Sequence, residues 1–280
     1  MKFISKLETR WAHSNSLLCV GLDPQLDRIP ERFKKQNSPY LDFCTAIVDA
    51  THELVCCFKP QVAYFSAVGA EDQLEKLMLY IKEQHPDIPV ILDAKRGDIG
   101  STAALYAKEA YERYGADAVT VNPYLGFESI EPYMKYEDKG IVVLCRTSNP
   151  GSDWLQKDKK DSVPVYQRVA KQAADWNKED QFVLVTGATY PEELGKVRKI
   201  VGRMPLLVPG IGAQGGDIES VLEVGLDQNA QGLIISSSRE ILYAHENLEK
   251  GRPSESEKLS EAGIVARQTR DMINKFRQLD

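Results

Sequence analysis

"PVILDAKRGDIG", residues 89–100, runs from an apolar segment straight into a cluster of charges. Residues 89–92 read as a buried strand, and Asp93, Lys95, Arg96 and Asp98 follow at once. Burying one charge is costly, and packing several together costs more unless they are paired. A strand that ends this way carries charged side chains to one end of a sheet.

The same apolar pattern recurs on both sides of it. The runs are "LLCVGLD" (17–23), "LVCCFKP" (54–60), "PVILDAK" (89–95), "AVTVNP" (118–123), "GIVVLC" (140–145), "FVLVTGA" (182–188), "PLLVPGI" (205–211) and "GLIISSS" (232–238). They are continuous and rich in Val, Ile and Leu rather than strictly alternating, which fits parallel strands covered by helices. Helix-like segments follow most of them: "DFCTAIVDATHEL", "AEDQLEKLMLYIKEQ", "STAALYAKEAYERYG", "PVYQRVAKQAADW", "PEELGKVRKIV", and a last one near residues 256–276. Eight such βα units predict a (β/α)8 barrel of the TIM type, with a doubly wound open sheet as the competitor. No shift in composition marks a boundary, so one domain over residues 1–280 is expected. "QKDKKDS" (156–162) reads as a solvated loop.

The bulk properties narrow the function. With 280 residues, 42% of them hydrophobic, the chain can bury a large core. A net charge of -6 and a pI near 5.4 argue against general nucleic-acid binding but leave room for a local anion site. The apolar runs are too short to span a bilayer, and "MKFISKLETRW" has no apolar signal core. The five cysteines are odd in number, form no CxxC pair and lie mostly in apolar runs, so they read as reduced and buried. The four histidines are isolated, and no metal-ligand spacing is present. A cytoplasmic protein is expected.

In a barrel the reactive face is the C-terminal end of the strands. Polar residues collect there: Asp23, Lys59, Asp93, Lys95, "TSNPG" (147–151), "PGIGAQGGD" (209–217) and "SSSRE" (236–240). Asp93 and Lys95 stand two apart on a strand, which predicts that both point to one face. Asp98 falls at the start of the next helix, either as its N-cap or as a site residue, with Thr102 four residues on. Lys59 ends the second strand, beside the third. A Lys–Asp–Lys–Asp array keeps both lysines charged; a charge pair at 4 Å and an effective dielectric of 20 is worth about 4 kcal/mol. It stabilises a fold poorly, but it holds a fixed ammonium where negative charge develops. The glycine-rich loop after strand seven and Ser238 and Arg239 after strand eight make an anion site of the kind barrels use for phosphate.

With these residues in view, the chain resembles the orotidine 5'-phosphate decarboxylase family, in its longer bacterial subgroup. "DAKRGDIGST" fits the family's Asp-x-Lys-x-x-Asp-Ile motif and its downstream threonine, and the likeness covers nearly the whole chain. The resemblance implies that Asp23 in "VGLDP" lies near the ribose and that "FKPQ" supplies Lys59. It also implies that Ser148 in "TSNPG" meets the pyrimidine edge, that Gln214 bridges base and phosphate, and that Arg239 binds the phosphate. The implied reaction converts orotidine monophosphate to UMP and CO2 without metal or cofactor. Lys95 meets the charge left on the ring carbon and then protonates it. Asp93 lies near the leaving carboxylate, acting either by destabilising the ground state or by orienting Lys95. Lys59 and Asp98 hold Lys95, and Asp98 and Thr102 serve the neighbouring subunit of a homodimer. The Asp-x-Lys-x-x-Asp element is shared with metal-using sugar-phosphate barrels, which place a carboxylate where this chain has Lys59. A magnesium-dependent relative and a catalytically silent nucleotide-binding barrel are therefore the rival readings.

Overall fold

The eight apolar runs form eight parallel strands: β1 (Leu18–Leu22), β2 (Cys57–Pro60), β3 (Ile91–Arg96), β4 (Ala118–Val121), β5 (Gly140–Arg146), β6 (Phe182–Thr186), β7 (Leu206–Pro209) and β8 (Leu233–Ser237). The computed structural model describes residues 1–211, 217–247 and 255–277. The strands hydrogen-bond in the order β2-β1-β8-β7-β6-β5-β4-β3. The two ends of that sheet are joined by parallel bridges at Phe58↔Val90 and Gln61↔Asp93, where the Phe58 N–H donates to the Pro89 carbonyl at 3.0 Å. The sheet therefore curls into a nearly closed barrel and not the open doubly wound alternative. Both faces of the strands are covered, which is why β1, β2, β4, β6 and β8 are buried at every residue and read as unbroken apolar runs.

Helices lie between the strands. Pro39–Thr51, Glu71–Gln84, Val165–Trp176, Pro191–Val201 and Glu255–Phe276 fall on segments whose apolar spacing predicts them. The helix after β3 is α-helical over Gly100–Lys108 and widens to a π-turn at Glu109–Arg113. The polar segment 156–162 is not wholly loop: Lys159–Lys160 pairs with Val163–Pro164 in a small antiparallel ribbon, with Lys159 and Lys160 exposed. An N-terminal helix, Phe3–Ser14, is an element that the charged look of the segment hides. It buries Phe3, Ile4, Leu7 and Trp11. Lys6 pairs with Asp117 at 2.9 Å, and the Phe3 N–H donates to the Asp138 carbonyl, so the helix sits against the starts of β4 and β5. That closes the N-terminal end of the barrel and leaves the C-terminal end of the strands as the open mouth.

Candidate active site

At the end of β3 the strand departs from ideal geometry. Its pairing with β4 runs Ile91↔Ala118 and Leu92↔Val119, then jumps to Arg96↔Val121. Asp93, Ala94 and Lys95 thus stand opposite Thr120 alone. Lys95 takes φ +46°, a left-handed conformation that costs a non-glycine residue of order 1–3 kcal/mol. The expectation that Asp93 and Lys95 share a face through plain strand alternation is therefore corrected: a bulge, not the two-residue period, brings them together. The Lys95 Nζ donates to Asp93 Oδ1 at 2.6 Å.

Lys59 meets the same carboxylate from β2, donating to Asp93 Oδ2 at 3.1 Å. Lys59 and Asp93 are buried, and Lys95 is half-exposed at the mouth. Asp93 therefore binds one ammonium on each oxygen, and Oδ1 accepts a further hydrogen bond from the Thr120 hydroxyl at 2.9 Å. Burial alone would raise the Asp93 carboxyl, but Lys59 and then Lys95 outweigh it and hold it at about 2, below its ordinary 3.8. Burial would likewise lower Lys59, yet Asp93 and then Asp23 keep it above its ordinary value. Both partners thus remain charged at neutral pH.

This has a consequence for stability. The folded Asp93 carboxyl binds its proton more weakly than the unfolded one. Its contribution, about 2 kcal/mol, is present above about pH 4 and is lost as the pH falls toward 2. Urea unfolding followed from about pH 5 down to about pH 2 should show a shallower fall for Asp93→Asn than for the native chain. Equal slopes would mean that the carboxyl is not held ionised.

Lys59 also faces a cavity of about 250 Å³ that opens at the ends of β1, β2, β7 and β8 and is lined by Asp23, Ser238 and Arg239. Asp23 has a buried Oδ1 that accepts no hydrogen bond within the described residues, an acceptor available to a ligand donor. Its carbonyl accepts the Tyr243 hydroxyl at 2.9 Å, which ties the β1 loop to the segment after β8. Gly21 makes the close approach of Ser238 possible: a Cβ there would lie 1.9 Å from the Ser238 Oγ. Arg239 is exposed and opens the short helix Arg239–Leu242. Gln214 lies outside the described residues.

Ser148 sits on the loop after β5, which a fully buried arginine holds. Arg146 donates from Nη2 to Asp153 Oδ1 at 2.6 Å and from Nη1 to Gln156 Oε1 at 3.2 Å. It also bonds Ser152 and Glu193 and stacks 3.8 Å from the Tyr190 ring centroid. Gln156 in turn accepts from the Thr147 N–H at 2.9 Å. Gly187 permits the backbone contact between this loop and the end of β6, since a Cβ there would come within 2.7 Å of the Ser148 Cα. Sequence reading passes over Arg146; a lone Arg closing the run "GIVVLC" is the signal that marks it.

Asp98 and Thr102 do not join the charged cluster within one chain. Asp98 is partly buried and accepts from the Ile99 N–H through Oδ1 at 2.8 Å. It is not the N-cap of the following helix, which begins at Gly100 with Ile99 in the capping position. The helical spacing expected between Asp98 and Thr102 therefore does not apply, because Asp98 precedes the helix. Thr102 is exposed. Among the described residues no group of three or more His, Cys, Asp or Glu is arranged to hold a metal ion.

Residues 16–252 match the Orotidine 5'-phosphate decarboxylase / HUMPS family. The chain belongs to that family. It is 55% identical over 278 residues to the orotidine 5'-phosphate decarboxylase of Ralstonia pickettii (strain 12J), covering 99% of this chain and 100% of that protein. Identity to the orotidine 5'-phosphate decarboxylase of Dechloromonas aromatica (strain RCB) is also 55%, over 279 residues, with 99% and 100% covered. The fold agrees: Leishmania donovani OMP decarboxylase superposes with a TM-score of 0.85 at 35% identity, with 99% of both chains covered. The matched residues thus include the strands that carry Lys59, Asp93 and Lys95 and the helix that Arg239 opens.

Proposed function

We propose that this protein is a carboxy-lyase that converts orotidine 5'-phosphate to UMP and CO2 in pyrimidine biosynthesis, using side chains alone. The observation that carries the reading is the Lys59–Asp93–Lys95 array at the barrel mouth, with Lys59 shared between it and the cavity of Arg239. In the reaction the bond between ring C6 and the carboxylate carbon breaks, the electron pair stays on C6, and CO2 leaves. The ring π system cannot take up that in-plane pair. An ammonium fixed beside it lowers the barrier. Lys95 is that ammonium; it then gives its proton to C6 and is reprotonated from solvent. Asp93 orients Lys95 through the 2.6 Å bond, and Lys59 neutralises the other carboxylate oxygen. The magnesium-dependent rivals place a carboxylate at the end of the second strand, where this chain has Lys59, and here the Lys59 and Lys95 ammonium groups occupy both oxygens of Asp93.

Asp23, Ser238 and Arg239 line the cavity, and the family likeness supplies the remaining substrate contacts. Asp23 accepts from the ribose, Ser148 meets the pyrimidine edge, Gln214 bridges base and phosphate, and Ser238 and Arg239 take the phosphate. Phosphate binding far from the breaking bond supplies energy for ordering the site. A homodimer in the cytoplasm completes the reading, with Asp98 and Thr102 directed to the partner's site. Its support is that neither residue hydrogen-bonds or ion-pairs with Lys95 in its own chain, and that Ile99 and Leu105 are exposed apolar residues close by in sequence. No helix among the described residues is long and apolar enough to cross a membrane.

The direct test is to add orotidine monophosphate to metal-stripped protein and follow the loss of pyrimidine absorbance. Turnover that survives chelation supports the reading; activity restored only by a divalent cation would replace it with the metal-dependent rival. A second test addresses the phosphate. Arg239→Ala should weaken binding of the phosphorylated substrate by on the order of 2–5 kcal/mol. The nucleoside lacking phosphate should react slowly, and equally, with both proteins. Equal harm to both substrates would remove Arg239 from the phosphate site.

A further inference from the structure

We propose that Thr120 is a positioning residue for Lys95, its single hydroxyl fixing the bulge of β3 that sets the ammonium on Asp93. The inference rests on the decarboxylase reading above. Thr120 is buried in the middle of β4. Its Oγ1 accepts from the Ala94 N–H and the Lys95 N–H, each at 2.9 Å, and donates to Asp93 Oδ1 at 2.9 Å. A hydroxyl has one proton to give and two lone pairs to fill, so every capacity of this one is used.

The three partners are the groups that define the catalytic geometry. Where β3 skips register between Leu92 and Arg96, the N–H groups of Ala94 and Lys95 have no place in the regular ladder with β4. Thr120 Oγ1 takes both of them. This holds Lys95 at φ +46°, a conformation that a lysine adopts only when its surroundings impose it. The same hydroxyl turns Asp93 by bonding the oxygen that receives the Lys95 ammonium. The peptide and the side-chain end of Lys95 are thus referred to one atom on the neighbouring strand. The hydroxyl is enclosed below the bulge, so it acts through Lys95 and Asp93.

The test compares Thr120→Val, which keeps the shape and removes the hydroxyl, with Thr120→Ser, which keeps the hydroxyl and removes a methyl. Both are assayed with orotidine monophosphate beside the native protein. Thr120→Val should lower kcat roughly 10- to 100-fold, the scale of a small misplacement of a catalytic group, with KM unchanged within about twofold. Thr120→Ser should restore kcat to within about threefold of native, even if its melting temperature is lower. A merely structural role would move stability and leave kcat per folded molecule alone. A Thr120→Val protein with native kcat would overturn the proposal, as would a Ser variant no better than Val or an effect confined to KM. Should Thr120→Val fail to fold, Thr120→Ala takes its place under the same criteria. Failure of both to fold, with Ser intact, would make the hydroxyl a requirement of the barrel and overturn its specific role toward Lys95. Native protein inert toward orotidine monophosphate would strike the decarboxylase reading itself, whereas active native protein with an unaffected Val variant strikes only this inference.

Discussion

Lys95→Ala should abolish turnover of orotidine monophosphate while leaving the barrel folded. Lys95 contributes the ammonium that meets charge at C6 and the proton that replaces the carboxylate, and alanine removes both. General acid catalysis alone is worth about 10²- to 10⁴-fold, and a preorganised charge adds its own factor, so a loss of at least about 10³-fold in kcat is expected. The fold should survive because the Lys95 side chain is 48% exposed and packs little of the core. Asp93 would keep the buried Lys59 as its counter-ion, so no unpaired charge is left inside. The check is a steady-state assay with circular dichroism on the same samples. A folded variant within tenfold of native activity would remove Lys95 from the chemistry and leave the array without a catalytic centre.

The barrel was legible because parallel strands covered on both faces must be apolar at every position. "GIVVLC" and "GLIISSS" carry no alternation that an exposed face would impose. The charged site was legible for the complementary reason: charges abutting such runs are costly unless they meet one another, and Lys59 and Asp93 do meet at 3.1 Å. What stayed hidden depends on relations between strands. Thr120 in "AVTVNP" reads as an ordinary β-branched strand residue, and nothing local says that three residues of β3 will stand opposite it. The left-handed turn at Lys95 is equally silent, because lysine has no preference for it. Arg146 escaped because its partners Asp153 and Glu193 lie on two different segments and only the folded loop collects them. The N-terminal helix escaped because its buried Phe3, Leu7 and Trp11 are spaced through a charged stretch that reads as surface.

Lys95→Ala and Asp98→Ala proteins, each nearly inactive alone, should complement each other when their subunits exchange. The motive is geometric: Asp98 makes no hydrogen bond or ion pair with Lys95 in its own chain, its Oδ1 accepting instead from the Ile99 N–H at 2.8 Å. A residue of the charged motif that is not bonded to its own cluster fits a site completed across a two-fold axis. In such a dimer each active site takes Lys95 from one subunit and Asp98 from the other. Each homodimer of a single variant then lacks one of the two residues in both sites. A mixed dimer concentrates both defects in one site and leaves the other complete. With equal amounts and random exchange, half of the dimers are mixed and each carries one working site, so activity should recover to about a quarter of native. The measurement is turnover after mild-denaturant mixing and refolding, with exchange verified by differently tagged subunits. Two inactive proteins that stay inactive after verified exchange would return Asp98 to its own subunit's site, and with it the reason for a shared active site, while the assignment of Lys95 would stand on its own variant.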